Sequence, residues 1–218
     1  NRPNVDFRGY AGTVASGVVR AGQSIVVAGS GKQTTVARIV TADGDMAEAQ
    51  AGDAVTLTLA DEIDIARGDV LCAPETRPEV ADQFAAHVLW MAEEELLAGR
   101  PYLMRLGTAT VPVRVTGIKH KVDVNSLEHH AARTLHLNEV GFCNLDTTAP
   151  VAVDAFADFP ATGSFILIDR QTNATVGAGM VSFALRRATN VHRQAVTVDR
   201  AARERLNAHP AKAVWFTG

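Results

Sequence analysis

Hydrophobic and polar residues alternate along most of the chain with the period of two that is typical of β-strands. The stretches AVTLTLA (54–60), FAAHVLW (84–90) and VPVRV (111–115) each carry an apolar face. Alternation of this kind indicates strands with one buried side. Further strand candidates of the same character cover residues 133–140, 149–156, 164–170 and 174–185. Short strands separated by Gly, Asp and Asn predict an all-β chain of antiparallel barrels or sandwiches.

The same alternation predicts which side chains point into each core. The residues expected to face inward are Val55, Leu57 and Leu59 in the first half of the chain, and Phe84, Val88 and Trp90 in the second. Pro112 has no N–H to donate to a ladder. Its strand is therefore expected to lie at a sheet edge or to carry a bulge.

A break in the pattern divides the strand-rich part of the chain. The segment CAPETRPEVADQF (72–84) carries two prolines and three acidic residues, which is typical of a linker between domains. We therefore expect one antiparallel barrel over residues 1–76 and a second over residues 77–187.

The last part of the chain has a different character. After Arg187 the alternation ends, and VDRAARERLNAH (198–209) favours a helix that Pro210 would terminate. The run AVWFTG (213–218) is apolar on both faces, as strands are when helices cover both sides of a parallel sheet. Residues 188–218 are thus predicted to open an α/β domain.

The stretch AGSGKQTTV (28–36) superficially matches a phosphate-binding loop. Such a loop needs Ser or Thr directly after its lysine to hold magnesium, but Lys32 is followed by Gln33. It also has to open a helix, whereas residues 34–41 are rich in β-branched residues and predict a strand. Residues 29–31 are therefore predicted to form a hairpin turn.

Composition narrows the functional classes. The chain has 21 Lys and Arg against 24 Asp and Glu, and its net charge of −3 argues against a generally nucleic-acid-binding surface. No apolar run approaches the length of a membrane span, and Asn1 does not open a secretion signal. Cys72 and Cys143 lie in apolar, strand-like contexts and are predicted to be reduced, buried thiols. We expect a cytoplasmic protein with no membrane and no nucleic-acid partner.

Four histidines lie close together in the sequence and suggest a metal site. These are His120, His129, His130 and His136. Their spacing matches no established ligand pattern, and no cysteine or carboxylate completes a tetrahedron, so solvated loop histidines are the preferred interpretation. Residues 117–133 are predicted to form an exposed hairpin, which could contact a partner domain.

Other candidate groups also have structural interpretations. The acidic stretch in 91–99 is predicted to be a solvated face, and Asp169 and Arg170 are predicted to shape a hairpin turn with Asn173. No nucleophile–base pair or carboxylate pair stands out. We assign no catalytic, cofactor-binding or metal residue to this chain.

Several motifs resemble the second domain of elongation-factor-Tu-like GTPases. They are R-G-x-x-G-x-V (8–14), A-G-D-x-V (51–55) and I-x-R-G-D-V-L (65–71), while TVGAGMV (175–181) resembles the strand that closes the third domain. Within this class the sequence is most similar to the large subunit of bacterial sulfate adenylyltransferase. The stretches that carry this similarity include WMAEEELLAGRPYLMRLGT (90–108) and GIKHKVDVNSLEHHAARTLHLNEVG (117–141). The tail from residue 190 resembles the opening of an adenylylsulfate kinase, which some bacteria fuse to that subunit.

The resemblance implies a parent protein in which GTP hydrolysis drives the formation of adenylylsulfate from ATP and sulfate, followed by phosphorylation of that product. It implies GTP, ATP and magnesium as cofactors of the parent, and a small catalytic subunit together with GTPase and kinase domains as partners. The family's N-K-x-D guanine reader and phosphate loops do not occur in these residues. A kinase phosphate loop is expected to follow Gly218.

An alternative is a translation-type GTPase whose barrels bind a tRNA acceptor arm. The acidic balance and the kinase-like tail favour the sulfate-activating protein, since a translation factor has no reason to end in AVWFTG.

We predict that the 218-residue chain binds neither GTP nor ATP tightly, because it contains no phosphate cradle. Titration calorimetry with each nucleotide in the presence of magnesium tests this directly. Micromolar binding of either nucleotide would contradict the prediction.

Overall fold

The structure is a computed structural model that describes residues 7–187. Nearly all of these residues lie in strands or the turns between them, with a single 3-10 turn and one four-residue helix in the described range. The expected architecture of two antiparallel barrels is confirmed. The predicted helix and strand of the tail, and the predicted domain over 188–218, lie outside the described residues.

Eight strands build the first barrel. In chain order they are β1 (Tyr10–Thr13), β2 (Val18–Arg20), β3 (Ser24–Val27), β4 (Gln33–Thr41), β5 (Gly44–Met46), β6 (Glu48–Gln50), β7 (Ala54–Leu59) and β8 (Leu71–Cys72). The main sheet has the order β1-β7-β4-β3-β8, with β5 added to β4, and β2 pairs separately with β6. The hydrogen-bonded path of these described strands does not return on itself, so packing rather than a continuous ladder joins its two parts.

That packing is a small apolar core. Its fully buried members are Ile25, Val36, Ile39, Ala49 and Val55. Ala49 of β6 connects the β2–β6 ladder to this core. Leu57 and Leu59 of β7 pack against the same cluster. The predicted inward face of this strand is confirmed, although Leu57 and Leu59 are only partly buried.

Nine strands build the second barrel. They are β9 (Glu79–Trp90), β10 (Leu96–Leu97), β11 (Pro101–Leu106), β12 (Ala109–Val122), β13 (His129–His130), β14 (Thr134–Leu135), β15 (Val140–Val153), β16 (Ser164–Ile168) and β17 (Thr175–Arg187), with a short helix α1 (Pro160–Gly163) before β16. The order β11-β16-β17-β9-β15-β12 closes because β11 also pairs with β12. This ring therefore has no free edge.

The core of the second barrel is larger and contains the predicted inward face of β9. Phe84, Val88 and Trp90 are all essentially buried. The Trp90 ring meets Tyr102 edge-on with 5.6 Å between centroids, and Phe84 meets Phe165 in the same way at 6.0 Å. Aromatic pairs prefer this edge-to-face arrangement.

Pro112 lies where its strand has one hydrogen-bonded neighbour. It stands opposite Leu103 of β11, while the pairing of β12 with β15 begins only at Val113. The missing N–H thus costs no ladder bond on the unpaired side. β12 pairs on both sides and is not an edge strand, but it carries the other expected feature, because its ladder with β15 has two bulge-like register shifts.

The two barrels meet at a few specific contacts. The 3-10 turn Pro74–Thr76 leads into the second barrel, and the Arg77 guanidinium donates back to the carbonyl of Ala28. Gly68 has φ of +104°, and a side chain there would come within 3.1 Å of Ala109 at the start of β12. Glycine is therefore required both by the backbone and by the close approach.

Replacing Leu57 with Asp should destabilise the first barrel by several kcal/mol, because it would place an unpaired charge against the Ile39–Val55 core. Thermal unfolding measures the effect. The matched control is Thr13→Asp on the neighbouring strand β1, where the side chain is exposed and little change is expected. Equal melting temperatures for the two variants would show that the face is wrongly assigned.

Candidate functional site

The glycine-flanked lysine lies in a hairpin. The strands β3 and β4 pair antiparallel on either side of it, and the Gly31 N–H donates to the Val27 carbonyl over 2.8 Å. The Val27 N–H donates in turn to the Lys32 carbonyl over 2.9 Å, and Gly31 has φ of +73°. The N–H groups of Gly31 and Lys32 are thus bonded within the hairpin rather than presented together to an anion. The predicted hairpin is confirmed.

The acidic stretch and the predicted turn at Asp169 form one structural cluster. Glu93, Glu94 and Glu95 are exposed, as expected, and the Glu94 carbonyl accepts a hydrogen bond of 2.6 Å from the Trp90 indole. The Arg100 guanidinium lies 3.2 Å from the Glu94 carboxylate and 2.7 Å from that of Asp169. These contacts fasten the loop before β11 to the turn between β16 and β17.

Asp169 shapes its turn as predicted. Its carboxylate accepts from the N–H groups of Thr172 and Gln171 at 2.9 Å each, and Asn173 adopts a left-handed φ of +58°. These two N–H donors, with Arg100 nearby, lower the pKa of the Asp169 carboxyl group. The group is a turn-forming residue, and its geometry shows no catalytic partner within the described range.

The two cysteines differ in burial. Cys143 is fully buried, and desolvation raises the pKa of its thiol to about 12, so it is inert at neutral pH. Cys72 is only partly buried, which departs from the prediction, because the short strand β8 lies at the end of its sheet with a single neighbour. Both are free thiols.

The four clustered histidines do not converge. His129 and His130 form the short strand β13, which pairs with Lys121 and Val122 and so confirms the predicted exposed hairpin. These two histidines and His136 are exposed, whereas His120 is half-buried on β12. Within residues 7–187 no group of three His, Cys, Asp or Glu side chains has the geometry to hold a metal ion.

A row of rings instead crosses the outer face of the second barrel. The cross-strand register sets His120 opposite Phe142, Phe142 opposite His87, and His87 opposite Met180. His129 stacks on His120 with 3.9 Å between centroids and 15° between planes. We call these five residues, with Phe183, the aromatic–histidine strip.

The rings of the strip contact one another along its length. The Phe142 ring lies 5.4 Å from His120, 4.9 Å from His87 and 6.2 Å from Phe183, measured between centroids. The Nδ1 atom of His87 is 3.4 Å from the Ser182 hydroxyl. Phe142 is thus the centre of the strip.

Two histidines of the strip have lowered pKa values. Partial burial is the main cause for His87, and the neighbouring charge of His129 adds to it. For His120 desolvation again comes first, followed by repulsion from His129 and His87. Both effects disfavour the imidazolium form. The His87 and His120 rings are therefore favoured in their neutral form.

Beside the strip lies a shallow apolar hollow. The next cross-strand row runs from Arg105 through Ile166, Ala178 and Leu89. The Ala178 side chain is much smaller than those of Ile166 and Leu89 on either side, so the surface is depressed there. Met180 lies between this depression and the aromatic–histidine strip and borders both. The depression has a volume of about 520 Å³.

These outward positions are unusual for the outside of a sheet. A one-sided antiparallel sheet places polar residues on its solvent face, yet Met180, Phe183 and Leu185 are 37%, 53% and 45% exposed. The strip was missed from the sequence, although MVSFALRR in β17 carries apolar residues where polar ones belong. That excess of apolar residues was the available signal.

A second cleft, in the first barrel, is polar and self-contained. It has a volume of about 260 Å³ and is lined by Arg8, Tyr10 and Arg38 among others. The Tyr10 hydroxyl and Arg8 both donate to the Ile63 carbonyl, at 2.6 and 3.2 Å, and Arg38 pairs with Asp45. Each of these three side chains therefore has a hydrogen-bonding or ionic partner within the first barrel.

No helix in residues 7–187 is long and apolar enough to cross a membrane.

Family profiles match both barrels. Residues 10–72 match "Elongation factor Tu domain 2", and residues 83–182 match "GTP-eEF1A C-terminal domain-like". Among solved structures, that of Sup35 complexed with GDP aligns with a TM-score of 0.74 and 22% identity, covering 82% of this chain and 46% of the other. At that identity the likeness concerns the fold alone. The chain is thus built on the two-barrel module of elongation-factor-like GTPases.

Similar proteins with assigned names indicate a more specific group within this class of two-barrel proteins. The bifunctional enzyme NodQ of Azospirillum brasilense is 54% identical and covers 100% of this chain and 35% of its own length. The bifunctional enzyme CysN/CysC of Xylella fastidiosa is 51% identical with the same coverage. Sulfate adenylyltransferase subunit 1 of Aeromonas salmonicida is 51% identical over 181 residues, 83% of this chain and 38% of its own length.

The chain spans about a third of the length of these relatives. The resemblance to the large subunit of sulfate adenylyltransferase and to its fused forms is confirmed. The chain is similar to members of that family over its whole length.

Stability should fall as pH is lowered from about 7 to 5, because the unfolded His87 binds a proton more readily than the folded one. His87→Gln removes that difference and should flatten the decline, as measured by urea unfolding at each pH. The control is His136→Gln at an exposed site, which should keep the wild-type slope. An unchanged slope in the His87 variant would refute the assignment.

Proposed function

We propose that this chain is the non-catalytic β-barrel part of a GTP-dependent sulfate adenylyltransferase large subunit, fused to an adenylylsulfate kinase. The parent would form adenylylsulfate from sulfate and ATP in sulfate assimilation. The observation that carries the proposal is the 51–54% identity over the whole chain to relatives named as bifunctional enzymes.

The extent of each alignment supports the fusion. Bifunctional relatives align over 217 or 218 residues, whereas the relative named only as subunit 1 aligns over 181. The difference is close to the length of the proposed tail domain, 188–218. We divide the chain accordingly into an elongation-factor-Tu-like domain II (1–76), a domain III (77–187) and the opening of the kinase.

Chemistry in this proposal belongs to the rest of the parent. GTP, ATP and magnesium would be held by the GTPase and kinase domains and by a separate catalytic subunit. Within the described residues the candidate groups form turns, hairpins and cores instead. The barrels would act as a scaffold that positions the other parts of the enzyme in the cytoplasm.

The alternative is a translation-type GTPase that binds a tRNA acceptor arm. The Sup35 likeness is compatible with it, but only at the level of fold. Tight tRNA binding needs a concentrated basic surface that neutralises several phosphates. The net charge of −3 and the identity to sulfate adenylyltransferases favour the first function.

The proposal predicts that the chain forms a complex with the second sulfate adenylyltransferase subunit of the same organism, seen as a shift in sedimentation. It also predicts no filter retention of bulk tRNA at any salt concentration from 50 to about 200 mM, the range over which a protein with several phosphate contacts loses most of its affinity. Retention of tRNA that falls steeply with salt, without a subunit complex, would favour the alternative.

A further inference from the structure

We propose that the outer face of the second barrel is the surface that docks the second subunit of sulfate adenylyltransferase. The face consists of the aromatic–histidine strip and the adjoining hollow, and the segment that occupies it presents apolar side chains flanked by carboxylates. The inference rests on the proposed function and names the surface through which that function is carried out.

The composition of the face is that of an interface centre. Cores of protein interfaces are enriched in aromatic residues, Met and Arg and depleted of other charges. The face presents Phe142, Phe183 and Met180, with Arg105 at one end. Its hollow can receive an apolar side chain of the partner, and anchor residues of this kind carry much of the binding energy at interfaces.

Exposed apolar residues are concentrated in this barrel. Of the eleven large hydrophobic side chains exposed in the described part of the chain, only Val18 and Met46 lie in the first barrel. Val124 and Leu127, which are 64% and 72% exposed, lie at the tip of the β12–β13 hairpin that carries His129. The hairpin therefore extends the apolar character of the strip beyond the sheet.

The size of the face fits a central patch. With neighbouring strands about 4.8 Å apart, the rows from β12 to β16 span roughly 19 Å, and the two residues of β9 that reach the face, His87 and Leu89, lie about 7 Å apart along their strand. These rows thus cover on the order of 130 Å², against about 800 Å² per partner in a standard interface. The hairpin tip and the exposed end of β17 lie where the rest of such an interface would extend.

Unpaired cations define the charge of the partner. Arg105 stands at the β11 end of the face, and Lys119 adjoins His120 at the β12 end; both are exposed. Neither makes an ion pair with another residue of 7–187, whereas the nearby Glu139 is already bound by Lys121 at 2.6 Å. A partner that places carboxylates at both ends of an apolar segment is complementary to this pattern.

The same cations disfavour a second copy of this chain as occupant. A two-fold contact brings the same patch together from both copies. If the axis runs along the strip, Arg105 meets Arg105, and if it crosses the strip, Arg105 meets Lys119. Either arrangement opposes like charges, so the face is better suited to a different protein.

The test uses the 218-residue chain and the purified second subunit of the same organism, with affinity measured by calorimetry. Met180→Glu and Phe183→Glu should each weaken binding at least about 30-fold, because each puts a charge into the centre of the patch. Arg105→Glu should weaken it about 10-fold and reduce its dependence on salt. Circular dichroism melts establish that the variants are folded, as expected for substitutions at exposed positions.

The matched control is Met46→Glu, since Met46 is 41% exposed and lies on the first barrel. It should leave the affinity unchanged. If wild type binds and the Met180 and Phe183 variants bind no worse than the Met46 variant, the docking surface is wrong while the proposed function stands. If wild type does not bind the second subunit, both fail. Self-association of the chain that Met180→Glu abolishes would assign the face to a second copy and overturn the inference.

Discussion

The closure of the second barrel is the constraint on which the rest of the structure depends. Because β11 pairs with both β16 and β12, every strand of the ring has two neighbours and no edge is left for another chain. Side chains then have two destinations only, the core or the outer surface. Filling the core with Phe84, Val88 and Trp90 places His87 and Leu89 outside, so the outer face is set by the same alternation that builds the interior.

The inward faces could be predicted from the sequence because they are local. The alternation within β9 spans seven consecutive residues, FAAHVLW, so the inward face of this strand can be predicted without knowing its neighbours. The hairpin turn at residues 29–31 could also be predicted from nearby residues alone, because the turn contains glycine and a strand rather than a helix follows it. The resemblance to elongation-factor-like barrels supplied the arrangement of the strands, which alternation alone does not contain.

The aromatic–histidine strip could not be predicted in the same way. Its members come from five strands, and they meet only because of the register between them: His120 with Phe142, Phe142 with His87, His87 with Met180. A shift of one residue in any pairing would turn a member to the other side. Two β-bulges in the β12–β15 ladder further displace the register, and a bulge leaves no clear mark in the sequence. The sequence groups His120 with His129, His130 and His136, but His87 lies more than thirty residues earlier, and no local pattern places it beside them.

The electrostatics of the strip connect its histidines to its character as a surface. Burial and mutual repulsion lower the pKa values of His87 and His120, so at neutral pH both rings are uncharged and pack against Phe142 as aromatic surface. With these two rings neutral, the fixed charges of the face lie at its ends, on Arg105 and Lys119. An apolar centre bounded by cations binds a partner through hydrophobic burial and orients it through charge. A scaffold without catalytic groups needs both effects to hold its partner in one position.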